Sequence, residues 1–194
     1  MEAICVFCGS SPGFAPGHLE AARRLGEALA ASGLRLVYGG ARVGLMGRLA
    51  DAALGCGGSV VGVIPRSFPR TVSHGGLSRL EVVDSMHARK QRMFELSDAF
   101  VALPGGFGTL EEILEILTWA QLGIHRKPCG LINVEGYFDA FLHFLDRAAA
   151  DGFIRRPHRD MLAVARTPGE LLERLRSAAP PAVSKWDGAD AALR

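Results

Sequence analysis

Residues 99–112 read Ala-Phe-Val-Ala-Leu-Pro-Gly-Gly-Phe-Gly-Thr-Leu-Glu-Glu. The first five residues are a continuous apolar run, which is typical of a strand buried on both faces of a sheet. A glycine-rich turn follows, and Thr109 opens a stretch in which apolar residues recur with helical period. This order of strand, loop and helix is the repeating unit of a parallel sheet covered by helices.

The same alternation of short apolar runs and amphipathic stretches recurs along the chain. The predicted strands are residues 3–8, 34–38, 59–64, 80–83, 99–103, 128–134 and 161–165. The predicted helices are residues 18–32, 45–55, 86–96, 110–122, 137–151 and 169–178. The pattern predicts an α/β fold, a Rossmann-like doubly wound parallel sheet with helices on both faces. Residues 1–178 are expected to form one nucleotide-binding catalytic domain, followed by a poorly ordered tail over 179–194 with a Pro-Pro pair.

Composition excludes several classes of protein. The chain has 194 residues, 48% of them hydrophobic, with 22 basic and 20 acidic side chains. This is unlike a disordered chain, and the small net charge gives no reason to expect a nucleic-acid partner. No apolar run approaches the ~18 residues of a membrane helix, so no membrane partner is expected. The start, Met1-Glu2-Ala3, lacks the basic region of a secretory signal, which favours a cytoplasmic protein.

The cysteines and histidines predict no metal site. Cys5 and Cys8 have C-x-x-C spacing, but residues three apart on a strand face opposite sides and cannot share a metal. Cys56 and Cys129 have no partner at ligand spacing, so all four cysteines are expected in the core. The histidines lack H-x-x-x-H spacing, and we expect neither a metal nor another cofactor.

Much of the glycine lies in three loops that follow predicted strands. The loops are residues 9–13, 39–47 and 104–109. Because parallel strands end at one edge of a sheet, the loops should share a rim, where glycine lets the backbone approach a phosphate. For any single loop, the alternative to ligand binding is that the glycines only allow a tight turn between strand and helix. The P-loop and dinucleotide motifs are absent, so three loops together favour a mononucleotide or sugar-phosphate pocket.

Thr109 and Glu112 have the spacing of a capping box, in which Thr109 caps the helix and Glu112 returns a hydrogen bond. Helix capping is thus one interpretation of the glutamate at position 112. The other is chemical, since a carboxylate near the positive end of a helix is favoured in its charged form. Glu112 would then serve as a base or anionic stabiliser rather than as a proton donor.

Asp84-Ser85 can cap a helix whose first turns carry Arg89 and Lys90. Cations at a helix N-terminus oppose the dipole, so a compensating anion is expected. Asp84 or Glu81 would supply it in a purely structural arrangement. For Arg89, whose planar fork suits phosphate or carboxylate, we favour a functional role.

Two long motifs resemble those of a known family. Met86-His87-Ala88-Arg89-Lys90 and the segment from Pro104 to Glu112 are similar to the M-H-x-R-K and P-G-G-x-G-T-x-x-E pair of the Lonely Guy family, the cytokinin riboside 5′-monophosphate phosphoribohydrolases. Shorter matches occur at residues 8–11, 44–47, 119–123 and 152–154, so the resemblance spans roughly residues 4 to 155. Members of the family have also carried the label "lysine decarboxylase".

The resemblance implies hydrolysis of the N-glycosidic bond of N6-substituted adenosine 5′-monophosphates, with AMP as a second substrate. It implies that Arg89 and Glu112 are the catalytic pair. The substrate-binding residues expected from the motifs and the rim loops are Ser10, Gly40, Met86, Lys90, Gly105, Gly106, Phe107, Gly108, Thr109, Leu110, Glu111 and Thr118. One departure is Thr71, which stands where many relatives have glutamate before V-x-H.

Two other functions compete with this interpretation. A pyridoxal-phosphate decarboxylase would need a Schiff-base lysine, and the chain has only Lys90, Lys127 and Lys185. A nucleotide-binding or carrier module of the same fold is the more serious rival, although a simple binder has no need of Glu112 beside its phosphate loop. Apolar residues surround most of the helix at 110–122, which predicts a homodimer with this helix at or near the interface.

Overall fold

The computed structural model describes residues 1–178. Its centre is a sheet of seven parallel strands in the order β4-β3-β2-β1-β5-β6-β7. The strands are β1 Ala3–Phe7, β2 Arg35–Tyr38, β3 Val60–Pro65, β4 Arg79–Val83, β5 Ala99–Ala102, β6 Cys129–Ile132 and β7 Leu162–Ala165. The predicted α/β class and all of the predicted strands are confirmed, with ends that move by one or two residues.

Six longer helices correspond to the predicted ones. They are α1 Pro16–Ala31, α2 Gly44–Gly55, α3 Met86–Glu95, α4 Phe107–Gln121, α5 Asp139–Ala150 and α7 Pro168–Ser177. The short helix α6, Arg156–Arg159, and a 3₁₀ turn at Val134–Gly136 were not predicted. Both are too short to give a hydrophobic period, which explains why sequence patterning misses them.

The sheet has a hydrophobic core on each face. Alternate residues of β1 enter different cores: Ile4 and Val6 pack with α1, α2 and α7, whereas Cys5 and Phe7 pack with α3, α4 and α5. This two-sided burial is the reason that the strands are apolar at every position. Cys5 and Cys8 therefore lie in opposite cores, as their spacing predicts.

One cysteine prediction is wrong. Cys56 is exposed, because it caps the C-terminus of α2 and leads into a turn instead of packing beneath the helix. The predicted tail at 179–194 lies outside the described residues. Within residues 1–178, no helix has both the length and the apolar character needed to cross a bilayer.

The order of the strands creates a crevice next to β1. The chain adds β2, β3 and β4 on one side of β1, and β5, β6 and β7 lie on its other side. Loops leaving β1 and β5 therefore diverge, and a crevice opens above their carboxyl ends. Sheets of this kind bind ligands at such a reversal of strand order.

Candidate active site

The three glycine loops meet at the carboxyl edge of the sheet. The loops after β1, β2 and β5 contribute Ser10, Gly39 and Gly106 to one cavity of about 300 Å³. The beginnings of α3 and α4 and the loop after β3 complete it. Its other principal lining residues are Cys8, Met46, Phe68, Met86, Arg89, Phe107, Gly108, Thr109, Glu111 and Glu112. The sequence prediction of a shared rim is confirmed.

Arg89 is fixed inside this cavity by the start of α3. Ser85 caps the helix by accepting a hydrogen bond from the Ala88 backbone N–H at 3.1 Å. Arg89 follows in the first helical turn and is only 8% exposed. Its Nε donates to the carbonyl oxygen of Val63 at 3.1 Å, which holds the guanidinium against β3. The positively charged guanidinium of Arg89 thus faces the cavity, and its side chain is buried and held in one position.

Glu112 is the anionic partner of Arg89. Its Oε1 lies 3.4 Å from Nη1 of Arg89, and the residue is 8% exposed. Burial raises the pKa of the Glu112 carboxyl to about 7, although the Arg89 guanidinium opposes this rise. The expectation that Glu112 is favoured in its charged form is therefore wrong, because desolvation by burial raises its pKa by more than the Arg89 guanidinium lowers it.

The predicted capping box is also wrong. Helix α4 begins at Phe107, two residues before Thr109, and Gly106 is its N-cap. Thr109 consequently lies in the first turn and Glu112 in the second, so their side chains do not exchange hydrogen bonds with the helix end. The structural explanation of Glu112 is lost with the capping box, and its contact with Arg89 remains.

The N-terminus of α4 forms the other wall of the cavity. Gly106, Phe107 and Gly108 are exposed, and the first helical turn closes through Leu110 N–H to the Gly106 carbonyl at 3.2 Å. The earlier N–H groups are free to face a ligand, and the dipole favours an anion there. Phosphate is the anion that this combination of glycine loop and helix end commonly holds.

Lys90 lies beside the cavity but does not line it. Its Nζ forms ion pairs with Glu111 and, at 3.0 Å, with Glu115, both on α4. Burial lowers the pKa of Lys90, but these hydrogen bonds outweigh it and leave the pKa raised. The proposed structural partners Asp84 and Glu81 are wrong, since Asp84 pairs with Arg66 and Glu81 pairs with Arg79 and Arg92.

The structure places some of the remaining expected substrate-binding residues in the cavity and others away from it. Ser10, Met86, Gly106, Phe107, Gly108, Thr109 and Glu111 line the cavity. Leu110 packs against the core, and Gly40 packs against Ile64 and Leu80 behind the rim. Thr118 donates to the Leu114 carbonyl at 2.7 Å and lines a separate groove on α4. Leu110, Gly40 and Thr118 are therefore not brought to the Arg89–Glu112 pair within one chain. Gly105 lines a neighbouring cavity instead.

Sequence reasoning missed two features of the cavity. Gly39, rather than Gly40, contacts the guanidinium, because a Cβ at position 39 would overlap Nη2 of Arg89. Phe68 reaches the cavity from the loop after β3, which has no periodic pattern. The loop containing Thr71 is joined to the β2 loop by a backbone bridge between Ala41 and Ser73. The glycine pair at 39–40 was a usable signal, whereas nothing in the sequence marks Phe68.

A second cavity of about 520 Å³ adjoins the first and shares Gly9, Ser10 and Gly106 with it. Its outer wall consists of Phe14, His18 and Tyr137, and Gly105 lines its floor. The β5 loop thus separates two cavities, one containing the Arg89–Glu112 pair and one lined largely by apolar and aromatic groups.

Residues 46–175 match the family model described as "Possible lysine decarboxylase". The probable cytokinin riboside 5′-monophosphate phosphoribohydrolase LOGL5 of Oryza sativa subsp. japonica is 51% identical over 179 residues, covering 92% of this chain and 73% of the relative. The cytokinin riboside 5′-monophosphate phosphoribohydrolase of Rhodococcoides fascians is 49% identical over 178 residues, covering 91% of this chain and 90% of the relative. Among solved structures, the molybdenum cofactor binding protein from Rippkaea orientalis superposes with a TM-score of 0.69 at 24% identity, covering 91% of this chain and 96% of that one. At that identity the likeness concerns the fold alone.

Proposed function

This chain belongs to the Lonely Guy family, and from that premise we propose that it hydrolyses the N-glycosidic bond of N6-substituted adenosine 5′-monophosphates. The products are the free adenine-type base and ribose 5-phosphate. AMP is proposed as a second substrate. The observation that carries the proposal is the buried Arg89–Glu112 pair, 3.4 Å apart, beside a helix N-terminus suited to phosphate.

The phosphate is proposed to bind at the first N–H groups of α4, from Gly106 to Thr109. That contact fixes the end of the substrate remote from the bond to be broken. Binding energy gained there can hold the ribose C1′ against the catalytic pair. Arg89 adds positive charge on the same side, and it cannot act as an ordinary acid because its guanidinium stays protonated.

Glu112 is proposed to act on the sugar. Cleavage of an N-glycosidic bond passes through an oxocarbenium-like state, which a nearby carboxylate stabilises. The ionised carboxylate also accepts a proton as water adds its hydroxyl to C1′. The base leaves with the electron pair of the broken C1′–N bond, and a carboxyl whose burial raises its pKa to about 7 can then pass the proton to that base. One water is consumed, and its hydroxyl ends on the ribose C1′ and its proton on the base.

The lysines give no support to a pyridoxal-phosphate decarboxylase. Lys90 is held by Glu111 and Glu115. Lys127 donates to the Phe94 carbonyl at 2.7 Å and lies over the ring of Phe94. Neither lines the cavity of the catalytic pair, and Lys185 lies outside the described residues. The decarboxylase activity that the family's descriptive label suggests would need a Schiff-base lysine, and neither Lys90 nor Lys127 could supply one at this cavity.

A homodimer is proposed from the outer surface of α4 and its neighbours. Leu114, Phe144 and Phe153 are exposed there, and a groove between α4 and α5 is lined by Leu117 and Ile154. Large exposed apolar side chains on neighbouring elements are typical of an interface. A second copy of the chain is the proposed occupant.

Replacement of Glu112 by glutamine tests the proposed function. We expect base release from N6-isopentenyladenosine 5′-monophosphate and from AMP to fall at least about 100-fold, because the proton acceptor is lost. The melting temperature should stay close to that of the wild type, since burial already favours the neutral form of this side chain. Chromatographic measurement of free base gives the rates.

The matched control is Glu173→Gln on α7, an exposed carboxylate on the opposite face of the sheet, which should leave the rates unchanged. Full activity of Glu112→Gln would contradict the catalytic role. Absence of base release from the wild-type protein, with tight nucleotide binding, would instead favour the carrier module.

A further inference from the structure

Tyr137 reaches from the β6–α5 connection to the loop after β5. Its hydroxyl donates a hydrogen bond to the carbonyl oxygen of Gly105 at 2.7 Å. Tyr137 lines the second cavity and not the cavity of the catalytic pair. Among the described residues, the Tyr137 side chain makes one hydrogen bond, and its acceptor belongs to the loop that precedes the proposed phosphate site.

The turn before Tyr137 is held in an unusual backbone conformation. Glu135 has φ 50° and is the one non-glycine residue with positive φ among residues 1–178. Gly136 follows with φ 76°. Tyr137 N–H donates to the Val134 carbonyl at 2.8 Å, and the next residue, Phe138, is buried in the core. A strained turn anchored on both sides sets the position of the phenol ring, and such strain is common at functional sites.

Further contacts fix the ring itself. It packs edge-on against His18 of α1 with 5.3 Å between ring centroids, and against Phe138 at 5.0 Å. These contacts involve the ring and not the hydroxyl. Removing only the hydroxyl should therefore leave the ring and the turn in place.

The loop that Tyr137 contacts has little freedom of its own. Gly9 N–H donates to the Pro104 carbonyl at 3.0 Å. A Cβ on Gly105 would lie 2.8 Å from Gly9 N and would overlap the Thr109 side chain. Position 105 thus requires glycine, but glycine leaves the following peptide free to rotate unless another group holds it.

The Gly105 carbonyl and the Gly106 N–H belong to one planar trans peptide and point in opposite directions. When Tyr137 holds the carbonyl, the Gly106 N–H points away from the Tyr137 hydroxyl, and Gly106 itself lines both the second cavity and the cavity of Arg89 and Glu112. No described residue accepts a hydrogen bond from this N–H.

We propose that Tyr137 is a positioning residue that fixes the Gly105–Gly106 peptide so that the Gly106 N–H binds the phosphate of the substrate. This inference rests on the proposed function for the identity of the phosphate. It assigns a role in substrate recognition to a residue that does not itself touch the reacting atoms.

Tyr137→Phe in the full chain tests this role, and Tyr38→Phe is the matched control. The chain has only these two tyrosines, and the Tyr38 hydroxyl is buried without a hydrogen-bond partner. For Tyr137→Phe we expect KM for both nucleotides to rise about 3- to 10-fold, while kcat stays within about twofold of the wild-type value. This is the effect of weakening one hydrogen bond that holds the substrate equally in the ground state and in the transition state. The inhibition constant of inorganic phosphate should rise by the same factor, and that of free adenine should not change. Tyr38→Phe should match the wild type in all four quantities.

An unchanged KM and phosphate inhibition in Tyr137→Phe would overturn the inference, as would an equal weakening of phosphate and adenine, which indicates general loosening of the site. If the wild-type protein releases no base, the proposed function fails. The inference is then decided by calorimetric titration with ribose 5-phosphate, which Tyr137→Phe should bind about 3- to 10-fold more weakly than Tyr38→Phe does.

Discussion

At the scale of single residues, the position of Arg89 depends on a neighbour that has no side chain. Gly39 leaves the space in which Nη2 of Arg89 lies, while the Val63 carbonyl holds Nε. Arg89 in turn opposes the rise that burial causes in the pKa of Glu112. Gly39 follows β2, Val63 lies in β3, Arg89 in α3 and Glu112 in α4. The positions of the Arg89 and Glu112 side chains therefore depend on elements distant in sequence.

Gly39→Ala should separate activity from stability. The new methyl group overlaps Nη2 of Arg89, whereas its next neighbours, Cζ of Arg89 and Sδ of Met46, lie at 3.1 and 3.2 Å. The guanidinium is therefore displaced while the fold persists. We expect base release to fall about 100-fold, the effect of misplacing a catalytic group by about an ångström. Gly55→Ala is the control, because a Cβ there meets no atom within 4 Å. Equal activity of the two variants would show that the guanidinium position is not critical.

The pH dependence of catalysis should follow the ionisation of Glu112. Protonation removes the carboxylate that accepts the proton of water, so kcat/KM should fall as pH decreases through about 7. At pH 6 the value should be about one tenth of its plateau. Steady-state rates between pH 5.5 and 8.5 measure this, with ribose 5-phosphate binding over the same range to correct for phosphate ionisation. A rise in kcat/KM towards low pH would show that the reaction starts from the protonated carboxyl of Glu112, and it would contradict the proposed role of Glu112 as the first proton acceptor.

The sequence predicts that Arg89 and Glu112 act together, and the structure places the two side chains in contact, but the sequence does not predict their environment. Arg89 and Glu112 stand in long motifs, and an arginine at a helix N-terminus is a local anomaly that needs an anion. The raised pKa of Glu112 and the contact between Gly39 and Arg89 follow from tertiary burial. No periodicity or spacing contains that information.

At the scale of elements, α3 and α4 are joined by charged side chains as well as by apolar packing. Lys90 of α3 contacts Glu111 and Glu115 of α4, beside the contact of Arg89 with Glu112. Sequence patterning predicts both helices because their apolar period is clear. It misses the true start of α4, since Gly106 replaces Thr109 as the N-cap, and it misses the partners of Lys90 because they lie on another helix.

A double-mutant cycle with Lys90→Met and Glu115→Gln tests this connection. We expect a coupling free energy of about 1 kcal/mol in denaturant unfolding, since the Lys90 side chain is only 12% exposed. The control cycle uses Arg147 of α5 and Asp151, the residue that follows this helix. Their side chains are 73% and 40% exposed and should couple by less than about 0.5 kcal/mol. A coupling no larger than that of the control pair would show that Lys90 does not join the helices.

At the scale of the whole molecule, the sheet order places the site at β1, and the surface of α4 and α5 leaves apolar groups exposed. Leu114 is 39% exposed and Phe144 is 65% exposed. The fold was predictable because seven apolar runs alternate with amphipathic segments. The strand order was not, because apolar runs do not specify which strand lies beside which.

Light scattering should give the mass of two chains for the wild-type protein. Leu114→Glu should shift it towards one chain, because a charge buried in an apolar interface is costly. Val82→Glu is the control, since Val82 is exposed on the edge strand β4 and its replacement should leave the mass unchanged. A wild-type protein with the mass of one chain would contradict the proposed homodimer.

The central place of β1 also has a consequence for folding kinetics. Ile4 lies opposite Ala99 in the sheet, so the first strand of the chain must close a long loop before β5 can pair with it. Contacts of such large sequence separation form slowly, because the entropy of loop closure is lost before the contacts stabilise the chain. The loop after β5, with Gly106, and the loop after β1, with Ser10, meet at one cavity only after that step. The return of activity during refolding therefore reports completion of the central sheet, and helix content measured by circular dichroism recovers before it.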